Sequence, residues 1–278
     1  DSQALGTNAS VATGSPNAIA FGSYANAGAN ANYLGQTKVG GGIAIGERAF
    51  AGGAISGSTI AIGAGARATS PNGTNGDQLA IGRVAIASGQ DSLAIGAEST
   101  ASGQDSIAIG GNNSAGTMGT IATQQGATAI GVYANSRGVR ATAVGTESTA
   151  TGVNSNAFGY ATQAQGNNSV AMGYGSIATA TANDSVAIGS KSYAGAVRSV
   201  AQGATASATG VDSIAAGSFA NASANRASAF GLATVASGLE ALASGASATA
   251  LGNSSVAIGS QAKAVEQNSG GTEAQVAI

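Results

Sequence analysis

One phrase, an apolar residue, Ala, an apolar residue and Gly, returns every fourteen residues along most of this chain and limits what the chain can become. The stretch DSLAIGAESTASGQDSIAIG, residues 91 to 110, states it twice. Anchored on its closing Gly, the phrase falls at Gly131, Gly145, Gly159, Gly173, Gly189, Gly203, Gly217, Gly231, Gly245 and Gly259, with one step that departs from fourteen. Gly82, Gly96 and Gly110 keep the same spacing, while Gly6, Gly22, Gly35, Gly46 and Gly63 are irregular. About eighteen units result, far beyond the three or so that a stacked array needs. Fourteen residues are too few for a helical hairpin, and the local alternation has period two, so each unit reads as two short strands and two turns. Stacked units make a parallel β-solenoid in which each strand pairs with its equivalent one coil away.

Alternation sorts the side chains. Two residues before the anchor stands Ala, as at Ala129, Ala143, Ala157, Ala171 and Ala187, and three and five residues after it the residues are small again, as at Ser148 and Ala150 or Ala206 and Ala208. These three columns are expected to face one another across an interior too narrow for larger groups. The bulky residues one and three before the anchor then point out of their own coil: Leu93 and Ile95, Ile107 and Ile109, Val170 and Met172, Val186 and Ile188, Val256 and Ile258. A continuous stripe of this kind exceeds what a soluble monomer leaves wet, so it is expected to be an oligomer interface. Three subunits about a rotation axis are the simplest closed solution, although alternation alone does not fix that number.

Composition removes the competing classes. Large side chains are scarce, with 45 Gly, no Trp and 4% aromatic residues, yet 43% hydrophobic and 8% charged residues argue against a disordered chain. Two Pro exclude collagen. A net charge of −2 gives no footprint for nucleic acid or anionic lipid, and no run is long enough to span a bilayer. Without Cys or His the chain has no disulfide, no thiolate metal site and no usual general base, so neither an enzyme nor a cofactor is indicated.

The phrases NNSVAMGYGS (167 to 176), NDSVAIGSKS (183 to 192) and NSSVAIGSQAKA (253 to 264) resemble the YadA-like head domains of trimeric autotransporter adhesins. That resemblance implies an all-β, left-handed parallel β-roll of about fourteen residues per coil, assembled as a parallel homotrimer. It further implies the surface of a Gram-negative bacterium, anchored at the outer membrane, and adhesion to extracellular-matrix proteins, host-cell receptors or neighbouring bacteria. Some members need the motif residues for collagen binding; here Val186, Ala187, Ile188 and Gly189 are read as shape-makers.

We read 1–278 as a single repetitive head domain, a section of a longer fibre whose stalk and anchor lie beyond. It has irregular coils over 1–82 with a loop at 69–78, an irregular segment at 111–126 around TIATQQ, regular coils over 126–264, and a further coil beginning at 274–278. Asn156, Gln202, Ser228 and Ser244 put polar groups on the stripe. Five before the anchor, Asp184, Arg198, Asp212, Arg226 and Glu240 should align as an alternating-sign ladder, and Asp77, Asp91 and Asp105 suit turn capping better than a cation site. The exposed outer-strand positions two, four and six after the anchor supply the candidate ligand contacts Tyr133, Arg137, Lys191, Tyr193 and Phe219. An ice-binding solenoid is the alternative; it calls for one flat Thr column, which Thr149, Thr151, Thr205 and Thr209 hint at and Tyr133, Lys191, Phe219 and Val235 interrupt.

Overall fold

The computed structural model describes residues 1–12, 15, 17–28, 41–52, 57–69, 76–112, 119–265 and 275–278. Gly35, most of the 69–78 loop and residues 113–118 lie outside them. The chain divides into two compact units, Asp1–Glu147 and Ser148–Ile278. Each is a parallel β-solenoid without helices among the described residues, with about 16 turns in all.

Every regular coil carries a three-residue strand and a two-residue strand joined by two turns. In the second unit the longer strands include Val170–Met172, Val186–Ile188 and Val200–Gln202, and Ala171 pairs with Ala187, Ala187 with Ala201. The shorter strands form their own ladder, Ile177–Ala178 beside Tyr193–Ala194 beside Ser207–Ala208. The first unit repeats the plan, with Leu93–Ile95 between Gln78–Ile81 and Ile107–Ile109. Pairing is in register throughout these ladders, so the Ala column continues from coil to coil and the two flanking, mainly apolar columns stay aligned beside it.

Both turns are closed by the same bond. In the anchor turn the Ser192 N–H donates to the Gly189 carbonyl at 3.3 Å, and in the far turn the Ser155 N–H donates to the Gly152 carbonyl at 3.2 Å. The third residue of each turn is left-handed, for example Lys191 at φ 56° and Asn154 at φ 55°. The anchor Gly itself sits at φ 129° in Gly189, a region that residues with a Cβ avoid.

The interior is Ala and Ser. Ala187, Ala194, Ala206 and Ala208 are fully buried, as the sequence predicts for the columns two before and three and five after the anchor. A further column, four before the anchor, is also buried: Ser155, Ser169, Ser185, Ser199 and Ser213. Each of these hydroxyls donates to the carbonyl three residues earlier, at 2.6 to 2.7 Å. That bond satisfies a group that is costly to bury unpaired, whereas the hydroxyls of Ser106 and Ser255 in the same column are buried without a partner.

Two irregularities resolve physically. The sixteen-residue step from Gly173 to Gly189 is absorbed at the far edge, where the Ala182 N–H bonds to the Thr179 carbonyl, and Val170 still pairs with Val186. The segment TIATQQ is not a bulge: Ile121–Ala122 is a regular short strand between Thr100–Ala101 and Asn135–Ser136. An insertion of half a coil after Gly110 moves this stretch onto the short-strand phase, where no closing Gly is required. From Ile121 onward the strands are regular.

Candidate functional site: one apolar face and two unlike edges

The predicted stripe occupies one face of the longer strands. In the chain by itself Leu93, Ile95, Ile107, Ile109, Val170, Val186, Ile188 and Val256 are half-buried, and Met172 and Ile258 are each 43% exposed. Side chains that large gain about 1.5–3 kcal/mol when fully buried, so a wet row of them leaves much of the available stabilisation unused. Polar breaks in the row differ in how they are satisfied. Asn156 donates through Nδ2 to its neighbour's carbonyl, Asn154 O, at 3.1 Å, whereas Gln202 is exposed.

At the far edge many polar groups bond to one another. Asn154 Nδ2 donates to Asn168 Oδ1 and Asn168 Nδ2 to Asp184 Oδ1, both at 3.0 Å. Arg198 then holds Asp212 with two bonds, at 2.5 and 2.8 Å, and Arg226 holds Glu240 at 2.5 Å. The hydrogen bonds from Arg198 lower the Asp212 carboxyl pKa, and Asp212 raises that of Arg198. The expected alternating ladder is thus present as discrete pairs. Asp77 and Asp91 cap turns across coils, accepting the N–H groups of Ser58 and Asp77 at 2.6 and 2.9 Å. Sequence reading missed a second device, Asn six before the anchor. Asn167, Asn183, Asn225 and Asn253 each accept an N–H from the preceding coil at 2.9 to 3.0 Å. Its signal was the recurrence of Asn at one phase.

The anchor edge is different in kind. Tyr24 lies 6.0 Å below the Arg48 guanidinium, Arg83 meets Glu98 at 2.5 Å, and Tyr160 stacks on Tyr174. Phe219 and Leu232 are 61% and 55% exposed. Three of the candidate contacts belong here: Tyr133, Lys191 and Phe219 occupy the left-handed third turn position, with φ of 56 to 59°, and not an outer strand as the alternation suggested. Tyr193 is exposed on the short strand Tyr193–Ala194, and Arg137 is exposed just after Asn135–Ser136. The structure does not gather the five into one cluster. Tyr133 and Arg137 lie in the first unit and the other three in the second.

The Thr residues do not form a column either. Thr149 pairs with Gln163, which pairs with Ile177, and Thr205 sits in a turn at φ 57°.

In-register coils, an interior of small residues and an outward apolar row define a parallel β-solenoid that displays repeated surface columns. The family pattern described as "YadA head domain repeat (2 copies)" matches residues 80–115, 122–148, 150–176, 175–192, 180–206, 194–220, 208–234 and 236–265. The chain belongs to the YadA head domain repeat family, and that family implies an adhesin of the trimeric autotransporter type on the Gram-negative cell surface. Comparison with curated proteins finds no match. No described helix is long and apolar enough to cross a membrane.

Proposed function

We propose that the chain is the ligand-presenting head of a homotrimeric adhesin, with Leu93, Ile95, Ile107, Ile109, Val170, Met172, Val186, Ile188, Val256 and Ile258 as the subunit interface. The ligand is an extracellular-matrix protein or a host-cell receptor, held by many weak contacts that combine by avidity. The observation that carries this reading is the half-exposed, in-register apolar row, which a lone chain has no means of covering. The anchor edge supports the second half: it carries Tyr24, Tyr133, Tyr160 and Tyr174, a residue type that supplies binding energy at protein surfaces, while the far edge holds Arg198 and Arg226 in pairs with its own carboxylates.

The test is binding of the purified chain to an array of matrix proteins, glycans and the chain itself. Replacing Phe219 by Ser together with Lys191 by Glu should weaken capture of the ligand about tenfold or more, a change of about 1.4 kcal/mol, without altering the assembly. Capture only of the chain itself would assign the surface to bacterial self-association. Undiminished host-ligand capture by the double variant would remove the anchor edge from the site.

A further inference from the structure

Tyr160 and Tyr174 occupy the same position, one residue after the anchor, in successive coils of the second unit. Their ring centroids are 5.6 Å apart and their planes differ by 10°. The backbone beneath them is held by bonds from the Gly175 N–H to the Tyr160 carbonyl at 2.9 Å and from the Lys191 N–H to the Tyr174 carbonyl at 2.7 Å. Both side chains are about half exposed, at 46% and 54%, and the residues following them are Ala161 and Gly175, which add no bulk beside the rings. Two phenols are thus kept parallel, close and open to solvent.

The composition makes this pair chemically distinct. Trp and Cys are the side chains that compete with Tyr for one-electron oxidants, and this sequence contains neither. Met172, at the end of the strand leading to Tyr174, yields a sulfoxide when oxidised and forms no carbon–carbon link. Among the described tyrosines, Tyr24 lies under Arg48, and Tyr133 and Tyr193 occupy other coils.

We propose that Tyr160 and Tyr174 are an oxidative cross-linking site, coupled to dityrosine by a haem peroxidase with hydrogen peroxide. Each phenol gives up one electron and one proton, and the two phenoxyl radicals form a bond between ring carbons ortho to their oxygens. The hydrogens on those two carbons shift to the oxygens, restoring both phenols. One hydrogen peroxide accepts the two electrons and two protons and leaves as two waters. The product ties one coil covalently to the next on the edge that faces solvent. This inference does not depend on which ligand the head binds.

No Lys or Arg lies between Arg140 and Lys191, so trypsin releases both tyrosines in one peptide, 141–191. The purified chain treated with peroxidase and peroxide should gain dityrosine fluorescence, and this peptide should become lighter by two hydrogen atoms. Tyr160→Phe and Tyr174→Phe, which keep the ring and its stacking, should each abolish both signals, whereas Tyr133→Phe should retain them. Absence of dityrosine, its persistence in both Phe variants at those positions, or recovery of two joined 141–191 peptides in place of one lightened peptide would overturn the proposal.

Discussion

Gly189 adopts φ 129°, and a Cβ added there would lie 2.5 Å from the carbonyl oxygen of Gly203 in the next coil. Two independent constraints meet at this residue, because the backbone conformation excludes other residues and the stacking distance excludes the atom itself. A backbone oxygen cannot swing aside as a side chain does. Gly189→Ala should therefore cost about 1–3 kcal/mol from conformational strain alone, with the clash added to it. Thermal unfolding of this variant beside Lys191→Ala, two residues away and open to solvent, measures the difference; equal melting temperatures would mean that the anchor is merely a preferred turn residue. The fully buried interior makes the complementary demand, since Ala187 faces other small residues with no space for more.

The coil is the element, and its sequence displayed some of its parts better than others. The Ala columns and the apolar stripe were legible because strand alternation gives each a fixed phase and a uniform residue type. The buried Ser four before the anchor was not, since Ser is equally a turn residue and its hydrogen bond to the carbonyl three residues back appears only in three dimensions. Tyr133, Lys191 and Phe219 were placed on a strand because the alternation was carried two residues into a left-handed turn. TIATQQ was taken for an irregularity because a half-coil insertion exchanges the two strand phases. The ladder at the far edge was legible in charge but not in pairing. There Arg198 holds the Asp212 carboxyl below its ordinary value of 3.8, so the pair stabilises the fold above that value and ceases to do so as the pH falls through the lower, folded one. Asp212→Asn should melt slightly below the parent at neutral pH and low salt, with the gap closing once the pH is below the carboxylate range. A gap independent of pH would assign the effect to something other than this ion pair.

At the scale of the whole molecule, the decisive feature is where the bulky side chains go. Ala and Ser fill each coil, and the valines, isoleucines and leucines are left half-exposed on the longer strands; if that face is the subunit interface proposed above, folding and assembly are one event and stability depends on chain concentration. Ile188→Asp puts a charge on that face at a position where its own coil does not need the side chain for packing. The most direct measurement is the mass in solution, by light scattering or sedimentation, of the parent chain and of Ile188→Asp at low concentration. A parent mass of three chains, with the variant dissociated and losing its β-structure signal, is the predicted result. A folded, stable parent of one chain would contradict the central claim.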